Sequence, residues 1–116
     1  MTQDVRSETP AEPIVLGSSE EFESIVSEYG AVIVDFYADW CGPCRMMESA
    51  VEAIAAETDA AVLKVDIDRH EQLAAAHNIR GVPTTKVYAD GEEADQMVGL
   101  QTEEQLRAAV DRHRPA

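Results

Sequence analysis

"VDFYADWCGPCRMM", Val34 to Met47, decides the reading of this chain, because it carries an apolar strand with one acid, Asp35, straight into the chain's two cysteines. Cys41 and Cys44 are three residues apart. On a helix that spacing leaves Cβ atoms about 5–6 Å apart. A disulfide needs about 3.5–4.5 Å, so a modest local adjustment closes the pair and another reopens it. Pro43 is tolerated in a first helical turn, where its missing N–H has no helical partner anyway. Gly42 is read as the residue that lets the chain turn out of the strand. Cys41 then stands at a helix N-terminus, where free N–H groups and the dipole favour a thiolate.

Working outward, "AVIVDFY" (31–37) is apolar on both alternating faces, the pattern of a central strand covered on both sides. Upstream, "IVL" (14–16) forms a short strand. Ser18 and Glu21 have capping-box spacing ahead of a helix with Phe22, Ile25, Val26 and Tyr29 on one face, ending near Gly30. Met47, Ala50, Val51 and Ile54 continue at helical spacing after the cysteines, to about Thr58. "AVLKVDI" (61–67) is a second buried strand, followed by a short helix over 71–77 and the turn "RGVPT". "TKVYADGEEADQMVG" predicts two strands joined at Asp90-Gly91, a strong hairpin signal. Thr102 and Gln105 open a last helix with Leu106, Ala109 and Val110 inward. The order is β-α-β-α-β-α-β-β-α in one α/β domain over 14–116, after a mobile polar tail over 1–13.

With 116 residues, the chain holds one core without staples. No apolar run reaches the roughly 18 residues of a membrane helix, and the N-terminus lacks the basic and apolar segments of a signal peptide. A cytoplasmic location is expected, where Cys-X-X-Cys points to redox or metal chemistry rather than to a permanent staple. Zinc would need two more ligands, and His70, His77 and His113 form no recognised second pair. The net charge of −14 argues against nucleic acid and anionic membranes as partners.

"WCGPC" after a strand carrying Asp35, Lys64 in the next strand, and "GVPT" before a hairpin together resemble the thioredoxin family over nearly all of residues 14–112. The resemblance implies the thioredoxin fold, a mixed central β-sheet flanked by helices, and a general protein disulfide reductase. It implies no cofactor beyond the redox-active disulfide, and a monomer serving disulfide-containing substrate proteins and re-reduced by a thioredoxin reductase or equivalent donor. Cys41 would be the exposed attacking thiol and Cys44 the recessed resolving thiol. Asp35 would be the buried carboxylate that takes the proton from Cys44, with Lys64 tempering its charge. Pro83 would be cis and face the disulfide, and the Val82 backbone would pair with an extended substrate segment. Trp40 and Gly99 would complete the docking surface, while Gly42 and Pro43 would help set the reduction potential.

Lowering a thiol pKa by about 1.5, to the value established for thioredoxin itself, raises the thiolate share at pH 7 roughly 16-fold. Nucleophilicity falls about 4–6-fold in exchange, leaving a net gain of about 3–4-fold. The larger advantage must therefore come from Cys44 being tethered beside the mixed disulfide. Tyr37 stands where the family often has tryptophan. Ser49 replaces a common kinking proline, so a straighter second helix is expected, and Thr85 and Lys86 follow "VPT" where the family continues apolar.

Three other readings compete: a thiol oxidant or isomerase of the same fold, a non-catalytic thioredoxin-like assembly subunit, and a dithiol metal carrier. The "GP" between the cysteines resembles reducing members, whereas "GH" marks many isomerases. Catalysis does not explain the charge. Twenty-three acidic residues face nine basic ones, with Lys64 and Lys86 the sole lysines, which suggests adaptation to a salt-rich cytoplasm such as that of a halophilic archaeon.

Overall fold

The structure, a computed structural model, describes residues 8–114, so the first seven residues of the expected tail lie outside the described residues. Of the rest of that tail, the Thr9 hydroxyl donates to the Asp59 carbonyl (3.1 Å). The elements are β1 (Ile14–Val15), α1 (Phe22–Glu28), β2 (Ala31–Tyr37), α2 (Gly42–Met46), α3 (Glu48–Glu57), β3 (Ala61–Asp66), α4 (Glu71–Ala76), β4 (Thr84–Ala89), β5 (Glu92–Val98) and α5 (Glu103–Arg112). They form one mixed sheet in the order β1-β3-β2-β4-β5. β1 and β2 run parallel to β3, and β4 runs antiparallel to both β2 and β5.

β2 lies at the centre because both of its faces are covered. Val32, Val34 and Phe36 pack with Phe22, Val26, Leu63 and Tyr88 on one side of the sheet. Ile33 packs with Met47, Val51, Ile54, Val87 and Leu106 on the other. Burying one such aliphatic side chain is worth about 1.5–3 kcal/mol. Asp35 lies on the Ile33 face, because side chains alternate along a strand.

Local signals set several boundaries. Thr102 and Gln105 form a complete capping box at α5, an arrangement worth about 1 kcal/mol. Asp90 (φ 51°) and Gly91 (φ 85°) both take the left-handed conformation between β4 and β5, the requirement of a tight primed hairpin turn. At the start of α1 the expected capping box is replaced by a 3₁₀ turn over Ser19–Glu21. There the Ser18 hydroxyl accepts the Glu20 N–H instead of that of Glu21.

The second helix is not the straighter, continuous one that the absence of a proline suggested, since it breaks at Met47 into α2 and α3. The Met47 N–H is shared between the Pro43 and Cys44 carbonyls (3.2 and 3.1 Å). That tightened turn interrupts the ladder without a proline. Gly42 needs no special freedom either. It begins α2 with an ordinary φ and open space at its Cβ position, and the turn out of the strand is made by the extended backbone of Cys41.

Lys86 is buried, as are Thr84, Thr85, Val87 and Tyr88 of β4. A bulge between Val87 and Tyr88 sets Glu93 opposite Tyr88, on the face that Lys86 occupies. The ammonium then meets the Glu93 carboxylate at 2.9 Å, so a charge that would be costly alone is paired.

Candidate active site

The cysteines lie where β2 ends. Tyr37 is level with Asp66 of β3, and Phe36 with Thr84 of β4, so one end of the sheet gathers Asp66, the cysteine turn and the Pro83 loop. Cys41 and Cys44 form a disulfide with Cα atoms 5.2 Å apart. Ala38 completes the buried cluster around them, with Tyr37, Ile67 and Val82 packed against it. Cys41 is the N-cap of α2, and its Sγ accepts the Cys44 N–H at 3.1 Å. That donor stabilises negative charge on Cys41 in particular. Exposure does not separate the pair as expected, since in the disulfide Cys41 is 4% exposed and Cys44 5%. The difference between them lies in the helix-end donor. Arg45 braces the turn by donating to the Asp39 carbonyl (2.7 Å).

Asp35 is 3% exposed. Burial pushes its carboxyl up to about 6, with Lys64 pulling it down and Glu48 adding to the rise. This is the behaviour of a desolvated acid beside one incompletely compensating cation. Lys64 is level with Asp35 across β2 and β3, and its ammonium lies 4.6 Å from the centre of the Tyr37 ring. The Asp35 Oδ1 makes no hydrogen bond within the protein.

The Val82–Pro83 bond is cis. Pro83 precedes Thr84, whose hydroxyl donates to the Gly81 carbonyl (2.7 Å). The Gly99 N–H donates to the Pro83 carbonyl (2.8 Å) with φ at +94°, so Gly99 stitches its loop to the proline in a conformation that other residues resist. Trp40 is 67% exposed, and its indole N–H donates to Asp68 Oδ2 (2.9 Å), so the ring is held outside the core.

All ten residues singled out from the sequence therefore lie on or just behind this end of the sheet. Sequence reasoning missed Asp68, the partner that an exposed tryptophan N–H invites. It also missed Met46, Val98 and Leu100, large apolar side chains left exposed on the adjoining α2 and β5–α5 segments. Thr85, directly opposite Asp35, was noted only as a polar departure. The histidines are engaged elsewhere. His70 bonds to Ser19 and the Leu16 carbonyl, His77 packs on Phe22, and His113 meets Asp95.

The thioredoxin family model matches residues 13–112. The chain belongs to the thioredoxin family. Thioredoxin of Staphylococcus epidermidis is 39% identical over 102 residues, covering 86% of this chain and 97% of that one. A mutant thioredoxin from Halobacterium salinarum NRC-1 superposes with a TM-score of 0.88 at 44% identity, over 93% of this chain and 96% of its own. Fasciola hepatica thioredoxin gives a TM-score of 0.80 at 38% identity, over 87% and 99%. The mixed sheet with flanking helices is thus the thioredoxin fold. As a thioredoxin-family protein the chain is a protein disulfide reductase, and Cys41–Cys44 is its redox pair. It exchanges electrons with disulfide substrates and a reductase partner.

Proposed function

We propose that the chain works in the reducing direction on a broad set of protein disulfides, with the Cys41–Cys44 couple as its whole redox equipment and no prosthetic group. A reductase of the thioredoxin-reductase kind returns the electrons. The observation that carries this reading is the Cys41 sulfur at the start of α2, accepting the Cys44 N–H with Val82 packed against the pair. In this reading the Cys41 thiolate attacks a substrate disulfide sulfur and releases one substrate thiolate. Asp35 then takes the Cys44 proton, tempered by Lys64. The Cys44 thiolate attacks the Cys41 sulfur, and the second substrate thiolate leaves. The oxidised pair stays on the protein, and both electrons are on the substrate.

Trp40, Val82, Pro83 and Gly99 form the substrate face, with the Val82 backbone offered to an extended segment and Met46, Val98 and Leu100 adding apolar area. Gly42 and Pro43 set the potential through the geometry of the turn. The measurement that separates reductant from oxidant or isomerase is the reduction potential of the pair against glutathione. A value below roughly −230 mV is expected, whereas one near −120 to −180 mV would make the protein an oxidant or isomerase.

We also propose that the protein is a monomer of a salt-rich cytoplasm. Most cations with a described partner already serve acids: Arg107 pairs with Glu57 and Glu103, Arg112 with Asp95, and Arg114 with Asp59 and Asp111. A surplus of 14 negative charges remains. The Debye length falls from about 10 Å at 0.1 M salt to about 3 Å at 1 M, which suppresses that repulsion. The thermal midpoint is expected to rise by about 10 °C between 0.1 and 2 M potassium chloride, with reductase activity retained at the upper concentration. A flat or falling midpoint removes the salt adaptation and leaves the redox assignment intact.

A further inference from the structure

Two buried side-chain oxygens among the described residues have no hydrogen-bond partner in the protein, Asp35 Oδ1 and Thr85 Oγ1. They are not scattered. Asp35 on β2 and Thr85 on β4 are directly paired across the antiparallel ladder, so both side chains project from the same face. Directly opposed residues have Cβ atoms about 4.5–5.5 Å apart, within reach of a hydroxyl-to-carboxylate bond after rotation about the threonine Cα–Cβ bond. Neither of these two oxygens is open to solvent, although Asp35 as a residue remains 3% exposed.

The surroundings leave few other donors. Ile33 and Val87 flank the pair on the same two strands, and Met97 of β5 lies opposite Thr85. The charged groups acting on Asp35 are Lys64 from β3 and Glu48 from α3, with Tyr37 further along its own strand. The Lys64 ammonium lies over the Tyr37 ring and makes no bond to Asp35 Oδ1. From α2, Cys44 is tied in the disulfide. By contrast the hydroxyl of neighbouring Thr84 is satisfied by the Gly81 carbonyl.

We propose that the Thr85 hydroxyl is the donor that stabilises the ionised Asp35 carboxylate, making Thr85 a positioning residue for removal of the Cys44 proton. This rests on the reading of Asp35 as the proton acceptor, but the contact itself does not depend on turnover. A hydroxyl serves both states of the acid. It donates to the carboxylate before proton transfer and accepts from the carboxylic acid afterwards. The bond to the charged form is the stronger, so its removal favours the neutral acid and raises the pH at which Asp35 titrates.

The test is the carboxyl-carbon NMR shift of Asp35 across pH in the oxidised protein, with no substrate present. Thr85→Val keeps the branched shape and removes the hydroxyl. It is expected to raise the Asp35 midpoint by about one pH unit. Thr85→Ser, which restores the hydroxyl in a smaller side chain, should return the midpoint to that of the parent. The acid limb of the kcat/KM profile should move in the same direction as the midpoint in each variant. If Thr85→Val does not fold, Thr85→Ala provides the same comparison. A midpoint unmoved by loss of the hydroxyl overturns the proposal, as does a Thr85→Ser shift as large as that of Thr85→Val. A shifted midpoint with an unchanged kcat/KM profile keeps the contact and overturns the positioning role. Failure of the protein to reduce any disulfide would instead count against the proposed function.

Discussion

Cys41→Ser should eliminate disulfide reduction, with the rate falling by at least about 10³-fold, because a serine hydroxyl at neutral pH is too weakly ionised to open a disulfide. Cys44→Ser should behave differently. Its Cys41 still attacks, but the second step has no nucleophile, and the protein accumulates as a mixed disulfide visible by intact mass. The asymmetry is expected from the turn, where the Cys41 sulfur receives the Cys44 N–H at the start of α2. A tethered thiol acts at an effective concentration far above any free thiol in solution, so losing Cys44 costs turnover rather than attack. Burial alone would not order the two residues, since they are equally covered in the disulfide. Brief alkylation of the reduced protein followed by peptide mapping checks the order. Modification at Cys44 with Cys41 protected would reverse it.

The readable parts of this protein are those in which chemistry and position are neighbours in the chain. The Asp90-Gly91 turn, the Thr102–Gln105 capping box and the two-residue cysteine spacing each depend on a few consecutive residues. Strand burial was legible for the same reason, since "AVIVDFY" alternates between two cores. What escaped depends on register. Nothing in "VPTTKVY" says that Thr85 will face Asp35, or that a bulge will bring Glu93 under Lys86, because both follow from how β4 aligns with strands distant in sequence. The break at Met47 was hidden for a different reason. An unbroken run of helix formers looks continuous, and only a shared hydrogen bond at the Met47 N–H interrupts it. Trp40 drew attention from its place in the turn, but its anchor, Asp68, lies beyond the next strand.

Asp35→Asn should make the protein more stable at pH 8 while slowing turnover by about tenfold or more, as loss of a positioned proton acceptor does. Burial raises the carboxyl from 3.8 to about 6 against the opposing pull of Lys64. Between those two values the folded state binds a proton that the unfolded chain has released. Stability therefore falls as pH climbs through that window, and above about pH 6 the full penalty of holding a buried charge is present. A shift of this size corresponds to on the order of 3 kcal/mol, the upper limit of what Asn can recover, since its amide brings its own desolvation cost. Glu48 adds to the penalty from the surface side. The thermal midpoints of Asp35→Asn and the parent should diverge at pH 8 and draw together near pH 4, where the native carboxyl is already neutral. An Asp35→Asn protein less stable than the parent at pH 8 would show that the carboxylate is well paired rather than strained, and the case for Asp35 as the group that takes the Cys44 proton would fall with it.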